Sequence, residues 1–196
     1  MKNLVRKTAV IGLAVVAAGV VAQPVQAAVA APPAPVASVD VQKYLGRWYQ
    51  IASVPALYEL QCLRNVTADY GIGATGTVTV HNTCLSVFDL KSSITGDAKP
   101  LDGTNARLNV SFLKFGETWW HNAGANYIVV GLDAGYEWAV VTDSGRRSGF
   151  VLSRTPSLSP ERTAAAQASL RAAGLDPCTL KVTKQEGGRT DRAKFC

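Results

Sequence analysis

The sequence predicts an all-β fold: eight antiparallel strands, packed as a sandwich or closed into a barrel, with one α-helix after them. Three observations carry this reading. From Arg47 to Ser153 the chain runs in short stretches of alternating or β-branched residues. Short connections rich in turn formers separate them: Gly73-Ala74-Thr75-Gly76, Asp102-Gly103-Thr104-Asn105, Asp133-Ala134-Gly135 and Ser144-Gly145. A helical period appears once, downstream of the last stretch. Closing the sheet would remove its edges, and eight strands leave room for one small ligand.

Residues 1–27 read as a secretory signal peptide. Lys2, Arg6 and Lys7 form a basic start, Ala9 to Ala22 is uncharged and mostly apolar, and Val25-Gln26-Ala27 offers small residues for cleavage. The apolar run is shorter than the roughly 20 residues of a membrane-spanning helix. Residues 28–38 are rich in Ala and Pro and read as a disordered linker. The folded domain is expected over 39–186, followed by a polar tail, 187–196. Its strands are Trp48–Val54, Leu63–Gly71, Thr77–Leu85, Ser92–Ala98, Arg107–Lys114, Tyr127–Leu132, Trp138–Thr142 and Gly149–Ser153. For the helix, Ser159 is the N-cap, Pro160 takes the first position, Glu161 meets the positive first turn, and Gly174 ends it. Thr163, Ala166, Leu170 and Ala173 share one face. A final strand is expected over Thr179–Thr183.

The chain has 196 residues, enough for one domain plus processing segments, and a net charge of +6. Loss of Lys2, Arg6 and Lys7 would leave +3, and no basic run is interleaved with aromatics, so nucleic-acid binding has no support. Cys62, Cys84, Cys178 and Cys196 lack close spacing and only His81 and His121 accompany them, which disfavours a metal site. An even cysteine count in an exported chain suggests two disulfides. No cofactor motif is present, and the oligomeric state leaves no mark on the sequence.

Gly46-Arg47-Trp48-Tyr49 heads the first strand and Leu152-Ser153-Arg154-Thr155-Pro156 closes the eighth. Trp48 on a barrel floor with Arg154 laid over its face would make a cation–π contact and plug that end, with Gly46 allowing the backbone close to the ring. Together with Leu132-Asp133-Ala134-Gly135-Tyr136, Tyr44 to Ala52, Asn65 to Tyr70 and Asn126 to Val130, these segments resemble the lipocalin family, in its bacterial lipocalin and apolipoprotein D branch. The Asp133–Tyr136 turn departs from the usual Thr-Asp-Tyr form. The resemblance spans about residues 40–186. It implies an eight-stranded up-and-down barrel, closed at the motif end and open at the other, with the helix packed outside. It also implies transport or sequestration of lipids or similar hydrophobic molecules. Bacterial members of the branch are often outer-membrane lipoproteins, and this chain has no cysteine near the cleavage site to carry a lipid.

Alternation, anchored by that likeness and by which face is more apolar, sets the inward residues. On the first two strands they are Gln50, Ala52, Ala68 and Tyr70. On the third and fourth they are Val78, Val80, Asn82, Ile94, Gly96 and Ala98. The fifth contributes Leu108, Val110 and Phe112, the sixth Ile128 and Val130. The last two contribute Ala139, Val141, Ser148, Phe150 and Leu152. Several are small, which favours a cavity for an apolar ligand. The same alternation brings Arg64, Lys114 and Arg146 inward at the mouth, to meet the head group of a fatty acid or lysophospholipid. The loop carrying Trp119 and Trp120 should share the open end, as a lid or a membrane-touching tip, so that transient contact with a membrane surface is an alternative use of the chain.

Cys62 and Cys84 share the inward parity. A cavity-cysteine isomerase is therefore another alternative, but it requires a free thiol and a base, and His81 faces outward. The expectation is a binding protein, not an enzyme. The second hairpin sets Cys62 almost opposite Cys84, which would leave Cys178 with Cys196. The resemblance implies instead a tie from Cys62 to the tail, giving Cys62–Cys196 and Cys84–Cys178. The tail connection is preferred, because a polar tail without core contacts has little other reason to end in Cys196.

Overall fold

Eight strands run antiparallel round one sheet that returns on itself. A computed structural model describes residues 31–73, 76–122 and 124–196; the expected signal segment, 1–27, lies outside them. The barrel strands are β1 (Gly46–Ser53), β2 (Arg64–Ile72), β3 (Val78–Leu85), β4 (Lys91–Pro100), β5 (Arg107–Ser111), β8 (Tyr127–Leu132), β9 (Trp138–Thr142) and β10 (Gly149–Ser153). Each pairs with the next, and β10 closes on β1 with Tyr49 opposite Ser153. Between β5 and β8 the chain makes a separate hairpin, β6 (Lys114–Phe115) and β7 (Thr118–Trp119). The fifth expected strand thus breaks at Ser111. A short helix missed from sequence, α1 (Val41–Tyr44), precedes β1, with Asp40 accepting hydrogen bonds from the amides of Gln42 and Lys43.

Helix α2 (Pro160–Ala172) forms as its end signals require. Ser159 Oγ accepts from the Arg162 amide, and Gly174 follows at φ +81°. Its buried Ala166 and Leu170 pack outside the barrel against Ile51, Trp138, Val140 and Val151. The helix comes so near β8 that a Cβ on Gly131 would stand 2.6 Å from Ser169. This cluster is one of three among the described residues; a second, of Val78, Val80, Ala98 and Leu108, lies on β3, β4 and β5. The third, around Trp48, Val129, Ala139, Val141 and Leu152, fills the closed end.

The chain ends correct two expectations. Residues 31–38 carry no helix or strand, yet the Val36 amide donates to the Val129 carbonyl and Val36 packs on the closed-end core, so part of the expected linker is laid against the barrel. The tail is not without core contacts either. Strand β11 (Lys181–Val182) joins β1 where β2 has diverged from it. The Thr183 amide then donates to the Ile51 carbonyl, the Asn65 amide donates to the Lys184 carbonyl, and the Gln185 side-chain Nε2 donates to the carbonyls of Gln50 and Val66. Residues 181–185 so fill a cleft between β1 and β2. The following segment turns back along β11, with Lys194 opposite Lys181 and Phe195 buried. That return brings Cys196 to Cys178, and β2 and β3 hold Cys62 beside Cys84; these are the two disulfides. The preferred Cys62–Cys196 and Cys84–Cys178 pairing is overturned, because Phe195, and not a tie to Cys62, anchors the tail.

Candidate functional site

The closed end is built as its motif requires. The Arg154 guanidinium lies 3.8 Å from the centre of the Trp48 ring, and Trp48 is fully buried. Arg154 Nη1 donates to the Arg47 carbonyl at 2.9 Å and Nη2 to the Lys43 carbonyl at 2.6 Å, while Nε reaches the Tyr136 carbonyl. Trp48 Nε1 donates to the Tyr44 carbonyl at 2.8 Å, so α1 is hung from the same ring. Asp133 Oδ2 accepts from the Gly135 and Glu137 amides, and the Tyr136 hydroxyl accepts from the Asp40 amide. Gly46 serves its backbone and not the ring: it sits at φ +88°, where a side chain would be strained.

Above this plug lies a cavity of about 790 Å³, within the range of small-molecule sites. Most of the expected wall lines it: Gln50, Ala68, Tyr70, Val78, Val80 and Asn82 on one side, Ile94, Leu108, Val110, Phe112 and Phe150 on the other. Ala98, Ser148 and Leu152 line it as well. Ala139 and Val141 lie deeper, packed in the closed-end core. Gly96 leaves no void, since a Cβ there would meet the Phe112 ring at 2.7 Å.

Three expected wall residues are misplaced. A register shift between Gln50 and Ala52 turns Ala52 into the core beneath α2. On β8 the parity is inverted, and Tyr127 and Val129 face the cavity in place of Ile128 and Val130. Val130 packs instead against the core under α2, while Ile128 is fully buried away from the cavity. A strand covered on both faces gives alternation nothing to report. The tyrosines are the larger omission. Tyr44 and Tyr127 join Tyr70 at the inner end, with Tyr127 Oη 2.9 Å from Tyr44 Oη and 3.0 Å from Tyr70 Oη. Burial pushes all three hydroxyls well above the usual tyrosine pKa, so they stay neutral.

None of the three expected cations lines the cavity. A bulge between Arg64 and Thr67 breaks the alternation, and Arg64 pairs with Asp89 at the surface. Lys114 belongs to the β6–β7 hairpin, where it pairs with Glu117 at 2.9 Å and lies over the Trp119 ring. Arg146 sits in a turn at φ +56° and donates to the Ala173 carbonyl at the end of α2, outside the barrel. Trp119 and Trp120 do not line the cavity either, and Trp120 is half exposed. His121 ties this loop down: its Nε2 faces Asp97 Oδ1 at 3.0 Å and its Nδ1 faces the Asn109 carbonyl at 3.1 Å.

The ionisable groups that do line the mouth are acidic. Glu59 follows β1 in a short 3-10 turn, Leu57–Glu59, and accepts from Ser53 Oγ at 2.9 Å. Burial raises its pKa, against the lowering pull of Ser53, Gln50 and Arg192. Partial burial also pushes Asp143 up, but the amides of Ser148, Arg147 and Gly145 outweigh it and hold the carboxyl below its usual value. Cys62 and Cys84 line the cavity as one disulfide, and all four cysteines are bridged, so neither offers the thiol an isomerase would need. No cluster of His, Cys, Asp and Glu suited to a metal occurs among the described residues.

A family model described as "Lipocalin-like domain" matches residues 39–185. The chain is 32% identical over 155 residues to the outer membrane lipoprotein Blc of Citrobacter freundii, covering 76% of this chain and 80% of that one. It is 30% identical over 152 residues to apolipoprotein D of Mus musculus, covering 74% and 77%. Among solved structures it resembles insecticyanin from the tobacco hornworm Manduca sexta, with a TM-score of 0.59 at 17% identity over 81% of this chain and 93% of that one. Lobster apocrustacyanin A1 gives 0.57 at 16%, over 80% and 91%; these two likenesses speak to the fold alone. The family match over the barrel, the Trp48–Arg154 plug it is built on and the two curated relatives agree: the chain belongs to the lipocalin family.

Proposed function

We propose that this protein is an exported, non-enzymatic binding protein that takes a small hydrophobic or amphiphilic molecule into its barrel for transport, storage or sequestration. The observation that carries this reading is the cavity itself: about 790 Å³, plugged at one end by Trp48 and Arg154 and lined by Val, Ile, Leu, Phe and Ala beside Tyr, Ser, Thr and Asn. Burial of apolar surface drives binding there, at roughly 25 cal/mol per Å² before the costs of association. Two disulfides and the basic, apolar start of the chain support export.

A fatty acid or lysophospholipid keeps its chain in this reading and loses its charge partner. No Lys or Arg lines the cavity among the described residues, and the mouth presents Glu59 and Asp143. A long-chain fatty acid is therefore expected to bind no better than its methyl ester when both are titrated by tryptophan quenching at low salt. A preference for the acid that vanishes in Lys114→Glu/Arg146→Glu would restore the cationic mouth. Mass spectrometry of an organic extract of the natively purified protein tests the reading as a whole. It should show a co-purified apolar molecule; an empty extract, together with no binding of neutral hydrophobic probes, overturns it.

Contact with a membrane surface is a second use that one observation favours. Apolar side chains crown the open end: Leu57 is 84% exposed, Phe88 90% and Phe115 69%, with Leu60, Leu90 and Trp120 beside them. Such a patch marks an interaction site. Neutral phospholipid vesicles should co-sediment the protein, and Phe88→Ser/Phe115→Ser should abolish this while leaving probe binding unchanged.

A further inference from the structure

The hydroxyls of Tyr44, Tyr70 and Tyr127 carry three protons and make two hydrogen bonds among themselves, with Tyr127 in the middle. They have no other partner among the described residues. The count does not depend on which oxygen donates. If both outer tyrosines donate to Tyr127, its own proton is left over; if Tyr127 donates outward, the proton of the tyrosine it reaches is left over. One O–H of these cavity-lining tyrosines is therefore always left without an acceptor, and the three hydroxyls keep their protons because burial disfavours the tyrosinate.

The adjoining wall holds the complementary fault. Asn82 Oδ1 is buried and has no hydrogen-bond partner, and Asn82 lines the same cavity. The β2–β3 register sets Val80 opposite Tyr70 and Asn82 opposite Ala68, one inward step nearer the mouth. A buried donor and a buried acceptor, both unmatched, are each unfavourable in the empty barrel and favourable once a partner arrives.

We propose that the tyrosine cluster and Asn82 form a polar subsite at the inner end of the cavity, which receives a neutral oxygen, carbonyl or hydroxyl, carried on the buried end of an otherwise apolar ligand. This rests on the reading of the cavity as a ligand site. A carbonyl accepts the spare tyrosine proton. A hydroxyl accepts it and can also donate to Asn82. A carboxylate is disfavoured, because the nearest guanidinium, that of Arg154, lies behind Trp48 and is engaged with three backbone carbonyls. The ligand so enters with its neutral polar end first.

The test compares methyl nonyl ketone with its alkene isostere, in which a methylene group replaces the carbonyl oxygen. Both are titrated by displacement of the neutral fluorophore N-phenylnaphthylamine. The triple variant Tyr44→Phe/Tyr70→Phe/Tyr127→Phe should weaken the ketone by about tenfold and leave the alkene within about twofold. Each single Tyr→Phe variant still leaves at least one spare proton and should keep the ketone's advantage. Infrared spectroscopy of the carbonyl-labelled ketone on the wild-type protein gives a readout that needs no variant: its stretch should lie below the position seen in hexane. An unshifted band, or equal loss of ketone and alkene in the triple variant, overturns the subsite and leaves the cavity reading standing. If neither molecule displaces the fluorophore from the wild-type protein, the cavity reading falls and the subsite with it.

Discussion

Arg154 shows how much one side chain can settle. Its guanidinium caps the Trp48 ring and satisfies carbonyls on α1, on β1 and in the Tyr136 turn. Trp48→Ala should cost roughly 3–5 kcal/mol in chemical denaturation, as truncation of a large buried aromatic does. Arg154→Ala should cost less and leave ligand preference unchanged, because both residues lie outside the binding surface; a loss of binding at unchanged Tm would contradict that. Glu59 gives a prediction in pH. Burial raises its pKa in the folded state, so the stability it adds is full below the ordinary carboxylate pKa and is lost as pH rises through the raised value. Glu59→Gln should therefore match or exceed the wild type at neutral pH and fall behind it in acid, as followed by Tm against pH. The reverse order would put an ion pair with Arg192 ahead of burial. The Trp48–Arg154 pair was legible in the sequence because a Gly-x-Trp at the head of the first strand and an Arg at the end of the eighth fall at places a barrel brings together. Arg64 and Arg146 were misread because a bulge and a positive φ each broke the alternation on which they were placed.

At the scale of elements, bounds were more legible than the face a strand turns inward. Helix α2 and strands β9 and β10 match their expected bounds closely, since the end signals of the helix and the turns beside the strands are chemical and local. Strand β8 was found but faced the wrong way, because α2 covers its outer side and both faces are apolar. The same blindness hid Tyr127, and Tyr44 was missed with the four-residue helix that carries it. The β6–β7 hairpin was read as the end of a strand and an aromatic loop. Its attachment depends on His121, which is mostly buried with both ring nitrogens facing acceptors on Asp97 and Asn109. His121→Ala strips a hydrogen-bond partner from buried Asp97 and should destabilise the protein by about 2 kcal/mol. Amide exchange should quicken selectively through residues 112–122; uniform quickening would mean that His121 holds the barrel and not the loop.

For the whole molecule, the resemblance carried by the sequence disclosed a closed barrel and a cavity; the second hairpin set Cys62 opposite Cys84, as observed, but the resemblance and the polar tail argued for Cys62–Cys196 instead. Composition marked residues 187–196 as polar, and a single Phe195 inside that stretch was enough to bury its end. Truncation after Glu186 removes Phe195 and the Cys178–Cys196 bridge together. It should destabilise the protein by about 5 kcal/mol, combining a lost aromatic and a lost disulfide. Denaturation midpoints within error of the full chain would show that the returning segment merely covers the surface.

The cleft between β1 and β2 has a consequence in time. A ribosome makes β1 and β2 early, but residues 181–185, which fill the space between their diverging halves, come after every barrel strand. While the nascent chain is still short of them, the diverging halves of β1 and β2 have nothing between them, and the carbonyls of Gln50, Ile51 and Val66 lack the donors that Thr183 and Gln185 bring. Completion of that side of the barrel is thereby deferred until synthesis is nearly over, and a chain that stops before residue 181 leaves it unsealed.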